Sequence, residues 1–462
     1  MGSRCCGFWS WNLCHWTRDN SATFYQALHQ LPAVGTHSPA ETFFAADTAR
    51  TIALEPGMTF ACNLACCGEV YQTVKILIVS SVVPARGRGG GCLALYRHFV
   101  ERQDFAVAAC GHMLELADEV EAWIVSHGRV LHRLARTRLN RPMTNVRSLV
   151  QWQKLPSGLL QRARAWRPDV IFNVADHETS GWAWQLSRHL GVPLAVNFQD
   201  LFPLTTGTYL GQGLYPFLRD YHLDKFRFLN SNADAVFYTC EGMRDWFGGS
   251  PNGHVLYPLG AAPQAPAPAI SVPTGGRPVR LTYAGNCYGA YGRMMLRLAR
   301  HLEQHPGIQL SIFTMGNDWP EADVRSFQAS GVFRGQLDFA DLQHELQAAD
   351  AFLTVMSFEP EWQLFNQTSF TTKWLDYAPF GKPVFVWGPA DSSAARFARK
   401  HNCGAATISD SPEDLRQSVL SATADPSEWK KLSEASRSIS QTILNPERIH
   451  GVLKRALERL CP

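Results

Sequence analysis

The stretch Lys75-Ile-Leu-Ile-Val-Ser-Ser81 is an apolar run of strand length that leads into a glycine-rich segment, Pro84-Ala-Arg-Gly-Arg-Gly-Gly-Gly91. Such a continuous apolar run is typical of a strand that is buried on both faces of a parallel sheet. Residues Leu93–Glu101, which follow, have the pattern of a helix. The order of strand, glycine loop and helix predicts the start of a doubly wound, Rossmann-like nucleotide-binding domain.

The same alternation continues along the chain. We predict further strands, each next to a helix, at Asp169–Val174, Pro193–Phe198, Ala235–Thr239, Val279–Tyr283, Ile308–Phe313, Ala351–Val355 and Pro383–Trp387. Alternating strands and helices form a parallel sheet that is covered by helices on both faces. The predicted fold class is therefore α/β.

A segment rich in proline, alanine and glycine divides this pattern into two halves. It covers 263–278 and has the composition of a linker. We therefore predict two Rossmann-like domains, 75–262 and 279–425, that face each other across a cleft, followed by C-terminal helices at 426–462. Residues 1–74 have no clear period of 2 or 3.6, which predicts an N-terminal extension that is poorly ordered or mis-assigned to the coding region.

The composition excludes several classes of protein. Of the 462 residues, 45% are hydrophobic and 18% are charged, which is unlike a disordered chain. The formal net charge of +3 is too small to indicate nucleic acid as a partner. No apolar run reaches the ~20 residues that span a bilayer, and the start lacks the pattern of a secretory signal. We expect a cytoplasmic protein.

The twelve cysteines do not predict a metal site. The run Cys62-Asn-Leu-Ala-Cys66-Cys67 resembles the start of an iron–sulfur loop, but the third ligand position holds Glu69, and a carboxylate is a poor ligand for such a cluster. The cysteines beyond this segment stand singly, as reduced thiols do in a large chain without a disulfide framework.

The glycine loop is a candidate anion site. Backbone amides at Gly89, Gly90 and Gly91 would lie at a helix start, where they can hold a phosphate; a merely flexible turn is the alternative. The loop lacks the spacing Gly-x-Gly-x-x-Gly, because Cys92 stands where the third glycine would be. This argues against a dinucleotide cofactor.

Polar residues follow two predicted strands of the first half. His177 comes after Asp169–Val174, and Asp200 comes after Pro193–Phe198. Loops at the carboxyl edge of a parallel sheet carry ligands, so both side chains are candidates for the functional site. For each residue, a purely structural role remains the alternative.

The segment Arg129–Arg167 contains ten basic side chains and no acidic one. Apolar residues at Val130, Leu131, Leu134 and Leu139 alternate with some of these arginines, as in a basic amphipathic helix. Such a helix is a candidate for docking on an anionic membrane surface. A solvated helix that packs on its own sheet is the alternative.

The richest stretch lies in the second half. Ser369, Thr371 or Thr372 would begin a short helix at Lys373, where free amides and the ammonium group favour an anion. Asp376 lies one turn further on and would reach a sugar hydroxyl.

From Lys75 to its C-terminus the chain resembles retaining glycosyltransferases of the two-Rossmann-domain (GT-B) type, family four. The segments that carry this resemblance are Arg167–Ile171, Leu190–Pro193, Asp234–Phe237, Glu241–Met243, Tyr283–Gly285, Ser369–Lys373, Asp376–Tyr377 and Gly381–Val384. In two respects the sequence departs from the family. Thr368 stands where the first of two paired acidic residues is expected, and the basic pair after Tyr283–Gly285 is replaced by Asn286 and the more distant Arg293.

The resemblance implies a nucleoside-diphosphate sugar as donor substrate, bound by the second domain. Asp376 would bind the ribose, and Glu359 or Glu361 would contact the donor sugar in place of the missing acid. The diphosphate would lie against residues that the motif brings together: Gly285, Arg293, Ser369, Thr371, Thr372 and Lys373. His177 would lie near the acceptor and the reacting sugar. No metal ion and no cofactor besides the donor are expected.

The implied function is transfer of a sugar to a glycan or lipid-linked acceptor in cell-surface polysaccharide synthesis, on the inner face of the membrane. Two alternatives remain open. The loss of the acidic residue at Thr368 would also suit a non-catalytic GT-B binding partner. A sugar-nucleotide epimerase of the same fold would convert the donor without any acceptor.

We predict that a chain truncated to begin at Val74 is soluble, folded and active, because the preceding segment lacks the periodicity of a core element. Circular dichroism and size-exclusion chromatography would check this against the full-length chain. Aggregation of the truncated chain alone would contradict it.

Overall fold

The computed structural model describes residues 73–86, 90–111, 120–125, 137, 139–204, 214–260, 269–274 and 276–461. Thirteen strands lie in these residues: β1 Lys75–Val79, β2 Ala106–Gly111, β3 Glu121–Ile124, β4 Val170–Val174, β5 Leu194–Phe198, β6 Ala235–Tyr238, β7 Gly253–Val255, β8 Val279–Ala284, β9 Ile308–Phe313, β10 Phe333–Gly335, β11 Ala351–Val355, β12 Val384–Trp387 and β13 Ala405–Thr407. They form two sheets, ordered β3-β2-β1-β4-β5-β6-β7 and β10-β9-β8-β11-β12-β13. All strand pairs within the two sheets are parallel, which confirms the predicted fold class.

Helices connect these strands. In the described part of the chain they are α1 Gly90–Tyr96, α2 Asn140–Gln151, α3 Leu159–Trp166, α4 Ser180–Leu190, α5 Pro216–Asn232, α6 Glu241–Phe247, α7 Gly289–Gln304, α8 Glu321–Ala329, α9 Phe339–Ala348, α10 Gln363–Thr368, α11 Lys373–Tyr377, α12 Ser393–His401, α13 Pro412–Ala424, α14 Pro426–Gln441 and α15 Pro446–Glu458. A π-helical turn, Arg97–Glu101, continues α1, and two 3₁₀ turns lie at Pro360–Trp362 and Ala378–Phe380.

The central strands are buried on both faces. In β1 the residues from Ile76 to Val79 are fully buried, and every residue of β4, β5 and β11 is buried as well. Helices therefore cover both faces of each sheet, as the continuous apolar runs predict.

Three strands of the first sheet, β2, β3 and β7, have no counterpart among the sequence predictions. Strand β2 has the sequence Ala-Val-Ala-Ala-Cys-Gly and β3 has four residues with one buried side chain. Alanine, cysteine and glycine have little strand preference of their own. Strand β2 therefore forms because it pairs with β1, and not because of its local sequence pattern. The strands β7, β10 and β13 have three residues each and are too short for a periodic signal.

The two domains share one apolar cluster. It starts in the first sheet and continues into the second domain through Trp374, Leu375 and Tyr377 of α11. Tyr257 of the first domain lies against Phe370 with a distance of 4.7 Å between ring centroids, and both rings contact Phe397. Burial of these rings holds the domains together.

The last helix of the chain packs on the first domain. In α15, Glu447 forms a bidentate ion pair with Arg102, and Lys454 pairs with Asp104. The predicted C-terminal helices at 426–462 therefore correspond to α14 and α15, of which α15 returns to the domain in which the described chain begins.

Several sequence predictions lie outside the described residues. These include the extension before residue 73, Gly89 of the glycine loop, the basic residues Arg129, Arg133 and Arg136, and part of the linker. Within the described ranges, none of the helices combines the length and hydropathy that crossing a bilayer requires.

An ion-pair network joins the end of the linker to the second sheet. Asp350 lies just before β11, is 8% exposed, and accepts hydrogen bonds from the side chains of Arg277 and Arg280. Although burial acts to raise it, these hydrogen bonds lower the pKa of Asp350 to about 2.

We expect Asp350→Asn to lower the free energy of unfolding at pH 7 by about 1–2 kcal/mol, because the folded state stabilises the charged carboxylate. A carboxyl group with a lowered pKa in the folded state contributes its stability above its unfolded pKa of about 3.9 and loses it as the pH falls toward 2. The difference from the parent chain should therefore persist down to about pH 4 and shrink below it. Urea unfolding followed by circular dichroism would measure it.

Asp224→Asn is the matched control, since Asp224 is exposed and pairs with Arg227 on the surface of α5. It should change the free energy of unfolding by less than about 0.5 kcal/mol. Equal effects of the two substitutions would contradict the role of the Asp350 network.

Candidate functional site

The candidate site lies where loops of the two domains meet. A Cβ atom on Gly90, the first residue of α1, would lie 3.1 Å from Cγ2 of Thr372, so α1 begins directly opposite the start of α11. Close by, the Ser369 hydroxyl donates a hydrogen bond to the carboxylate of Asp200. Four of the residues singled out from the sequence, two from each domain, are thus brought together.

Lys373 begins α11 and lies over the end of β8. Its Nζ is 5.1 Å from the ring centroid of Tyr283, and a Cβ atom on Gly285 would lie 2.7 Å from Nζ. A glycine is therefore required at position 285 for Lys373 to lie there. The surrounding protein lowers the pKa of Lys373, while Cys287 and Asp376 act to raise it.

Tyr377 fixes the position of α11. Its hydroxyl accepts a hydrogen bond from the amide of Ala284 at 2.8 Å, and its ring stacks on Phe352 at 4.5 Å. Because Tyr377 is fully buried, the first turn of α11 is held rigidly at the carboxyl end of β8.

Asp376 lies one turn along α11. The nearby cations Arg97 and Lys373 do not fully offset the loss of water around its carboxylate. The residue is exposed to solvent, yet enough protein surrounds its carboxylate to displace much of the nearby water, which is the situation of a group inside a cleft. This desolvation raises the pKa of Asp376 to about 6, although Arg97 and Lys373 act to lower it. Arg97 belongs to the π-helical turn of the first domain, so a charge of the first domain interacts with a carboxylate of the second.

Asp200 is the second acidic group at the domain boundary. Desolvation raises its pKa to about 6, and the hydrogen bond from Ser369 acts in the opposite direction. The Ser369 hydroxyl proton is therefore committed to Asp200. Thr371 has a different neighbour, because its Oγ1 lies 3.4 Å from Oγ1 of Thr354 on β11.

The acidic stretch near residue 360 is placed differently from the rest. Arg293 forms a bidentate ion pair with Glu359, with N–O distances of 2.5–2.8 Å, so these two predicted donor-binding residues bind each other. Glu361 is exposed in the 3₁₀ turn that follows. Thr368, which replaces the expected acid, is buried and donates its hydroxyl hydrogen bond to the carbonyl of Leu364.

His177 is buried in the loop after β4. Its ring makes an edge contact with His222 at 5.8 Å between centroids, and within the described part of the chain its Nδ1 has no hydrogen-bond partner. His222 in turn lies 2.9 Å from the hydroxyl of Ser148 on α2. These neighbours belong to the first domain. The predicted role of His177 remains a prediction.

A cavity of about 90 Å³ lies between the domains beside Gly90 and Gly91. Sequence reasoning did not single out four of its polar or aromatic lining residues, His98, Asn197, Thr239 and Tyr257, nor the nearby Arg97. Asn197 is the penultimate residue of β5, and its place near a strand end, three positions before the predicted Asp200, is the sequence signal that points to it.

No group of three His, Cys, Asp or Glu side chains in the described residues is arranged to hold a metal ion.

The comparisons with known proteins agree with this architecture. Residues 87–260 match the family model of the glycosyl transferase 4-like domain. No curated protein matches the sequence. The family match indicates a glycosyltransferase.

Several solved structures share the fold. Sucrose-phosphate synthase from Thermosynechococcus elongatus is 16% identical and superposes with a TM-score of 0.56, covering 84% of this chain and 99% of its own. Anabaena HepE in complex with UDP is 14% identical, with a TM-score of 0.57 and coverage of 84% and 100%. WaaG, a glycosyltransferase involved in lipopolysaccharide biosynthesis, is 14% identical, with a TM-score of 0.51 and coverage of 82% and 99%. The fold is GT-B, as the sequence resemblance implied.

We expect Asp200→Asn to stabilise the protein at neutral pH. A carboxyl group whose pKa is raised to about 6 in the folded state destabilises folding above pH 6, where it is charged, and has no such effect below about pH 4. The asparagine keeps an oxygen that accepts the hydrogen bond from Ser369. Thermal unfolding should show a gain of about 1–2 kcal/mol at pH 7.5 and little change at pH 4; equal changes at both pH values would contradict this.

Proposed function

We propose that this protein transfers a sugar from a nucleoside-diphosphate sugar to a glycan or lipid-linked acceptor in cell-surface polysaccharide synthesis. The observation that carries the proposal is the arrangement at the cleft. Lys373 and Asp376 of the second domain lie at the boundary with Gly90 and Arg97 of the first. One cation, one carboxylate and the free amides of a helix start are the groups that a diphosphate and a ribose need.

The donor would bind mainly to the second domain. Lys373 would offset charge on the departing diphosphate, together with amide groups at Gly90 and Gly91. Asp376 would accept hydrogen bonds from ribose hydroxyls. HepE, which has a similar fold, binds UDP and UDP-glucose, and this supports a nucleotide sugar as the donor here.

We further propose that the transfer retains configuration by attack on the front face of the donor sugar, with neither a metal ion nor an additional cofactor. Retention rests on the family resemblance. In this mechanism His177 would lie near the acceptor, and Glu361 would contact the donor sugar.

The ion pair between Arg293 and Glu359 limits how Arg293 can take part in donor binding. Arg293 can contact the diphosphate only if its ion pair with Glu359 opens or rearranges when the donor binds. Both side chains are at least partly exposed, so such a change would cost little.

A membrane surface on the first domain completes the proposal. Leu139, Val146 and Val150, at and along α2, are 52%, 62% and 48% exposed, and α2 contains no acidic residue. Arg141 on the same helix is exposed and lies over the ring of Tyr215 at 4.6 Å. Exposed apolar side chains beside cations suit an anionic bilayer that presents a lipid-linked acceptor.

Assays of a panel of nucleotide sugars would test the transferase. We expect release of the nucleoside diphosphate to depend on an added glycan or lipid-linked acceptor. Conversion of the donor without any acceptor would instead favour an epimerase, and binding without turnover would favour a non-catalytic partner.

We predict that Asp376→Ala weakens nucleotide binding by about 1–3 kcal/mol, because ribose hydroxyls lose a charged acceptor. In the parent chain, affinity should fall as the pH drops below about 6, where Asp376 becomes protonated, and Asp376→Asn should remove that part of the pH dependence. Isothermal titration calorimetry with UDP and other nucleoside diphosphates would measure both effects.

Glu434→Ala is the control, since Glu434 is an exposed carboxylate on α14 that pairs with Lys430 one turn away. It should leave nucleotide affinity unchanged. Equal affinity of the parent and Asp376→Ala chains would remove Asp376 from the nucleotide site.

For the membrane surface, we predict that replacing Val146 and Val150 together by serine prevents sedimentation with phosphatidylglycerol vesicles and leaves nucleotide binding intact. Binding of the parent chain should fall with salt, because each cation near the lipid contributes about 1 kcal/mol that ions screen. Ile408→Ser, which changes an equally exposed side chain of the second domain, is the control. If the parent chain does not sediment with these vesicles at low salt, the proposed membrane surface is refuted.

A further inference from the structure

His98 and Asp104 of the first domain and His450 of the last helix form a hydrogen-bonded chain that ends at the cavity between the domains. Asp104 Oδ2 lies 2.8 Å from Nε2 of His450, and Nδ1 of His450 lies 3.1 Å from Nδ1 of His98. The two imidazole rings lie nearly end to end, with 5.4 Å between their centroids and an angle of 27° between their planes. His98 and His450 are 3% and 4% exposed, and His98 lines the cavity.

The geometry determines where the protons lie. Burial acts to raise the pKa of Asp104, but hydrogen bonds from Lys454 and His450 lower it. The carboxylate of Asp104 is therefore ionised and can only accept hydrogen bonds. His450 must therefore donate from Nε2. When His450 is neutral, its Nδ1 carries a lone pair and accepts the proton of His98 Nδ1, so that Nε2 of His98 is left unprotonated.

The charges around the two rings favour this neutral state. Burial is the main cause that lowers the pKa of both histidines. Arg102 repels a proton on either ring, and Lys454 repels one on His450, while Asp104 attracts one. Glu447, on the same face of α15 as His450, is occupied by its bidentate pair with Arg102.

A second buried acceptor lines the same cavity. Asn197 is 5% exposed, and its Oδ1 finds no hydrogen-bond partner among the residues that the structure describes. Two acceptors without donors suit a ligand that brings O–H groups, whereas an ionised phosphate has none to give. The cavity of about 90 Å³ has room for several groups of the size of a water molecule, such as hydroxyl groups on one edge of a sugar ring.

The backbone at His98 is itself unusual. His98 lies in the π-helical turn Arg97–Glu101, and π-helical turns are rare and are often found at functional sites. This turn places Arg97 toward Asp376 and His98 in the wall of the cavity.

We propose that Asp104 and His450 hold His98 as a hydrogen-bond acceptor, and that His98 Nε2 and Asn197 Oδ1 form a subsite for sugar hydroxyl groups beside the donor site. The identity of the ligand as a sugar rests on the proposed function. His98 and Asn197 contact the ligand, while His450 and Asp104 are positioning residues that act through His98.

The test is long-range nitrogen–proton NMR of the full-length chain with labelled histidine, assigned by single His→Gln variants. We expect at pH 7.5 a proton on Nδ1 of His98 and on Nε2 of His450. Glucose at high concentration should shift the Nε2 resonance of His98 in the direction of an accepted hydrogen bond. We call the hydrogen-bonded chain Asp104–His450–His98 the relay. A proton on Nε2 of His98, or a positively charged ring of either histidine, would overturn the relay. An Nε2 resonance of His98 that does not shift when glucose is added would overturn the subsite.

The substitution Asp104→Asn should reverse the direction of the hydrogen bonds along the relay, which provides a second test. The asparagine amide can donate to Nε2 of His450, so His450 would donate from Nδ1 and the proton of His98 would move to Nε2. The shift with glucose should then be lost. Lys454→Met is the matched control, because it removes the other partner of Asp104 and keeps the carboxylate that accepts from His450.

Loss of the glucose response in Lys454→Met as well would contradict the assigned role of Asp104. These readouts do not depend on sugar transfer. A chain that showed the expected protonation but no activity toward any nucleotide sugar would refute the proposed function and leave the relay standing.

Discussion

The packing of Tyr257 against Phe370 and Phe397 is the contact on which the rest of the site depends. It joins the end of the first sheet to the segments around α11 and α12, and the same apolar cluster includes Trp374 of α11. At the same boundary, Gly90 lies opposite Thr372, and Ser369 donates a hydrogen bond to Asp200. The polar site is thus positioned by apolar burial next to it, which is insensitive to the charges that a ligand brings.

The charged groups at this boundary are poorly stabilised by the protein itself. Asp200 and Asp376 have pKa values raised to about 6, and the pKa of Lys373 is lowered, in each case because protein has displaced water. Such shifts are characteristic of sites that await a charged or polar ligand, since bound groups supply the interactions that water no longer gives. The ion pair Asp350–Arg277–Arg280 shows the opposite pattern, because hydrogen bonds there satisfy the carboxylate and lower its pKa.

The strength of local patterns decided how much the sequence could predict. Strands β1, β4, β5 and β11 were predictable because each is a nearly continuous run of apolar residues. Asp376 and Lys373 were singled out by a motif within eight residues. Strand β2 was not predictable, because its alanines acquire strand structure only by pairing with β1. His98 was missed for a related reason, since its partners Asp104 and His450 belong to segments far apart in the chain. The pairing of Arg293 with Glu359 likewise depends on how the loop after β11 folds back toward α7.

The return of α15 to the first domain has a consequence for the order of folding during synthesis. Asp104 and His450 are separated by 346 residues, so His98 and Asp104 leave the ribosome long before their partner exists. At roughly 5–20 residues per second, the interval is on the order of 20–70 seconds. During that time the first domain has its sheet but lacks the helix that covers Phe105 and His98. Its maturation is therefore coupled to completion of the whole chain, and a product truncated before residue 446 would expose this apolar surface to chaperones and proteases.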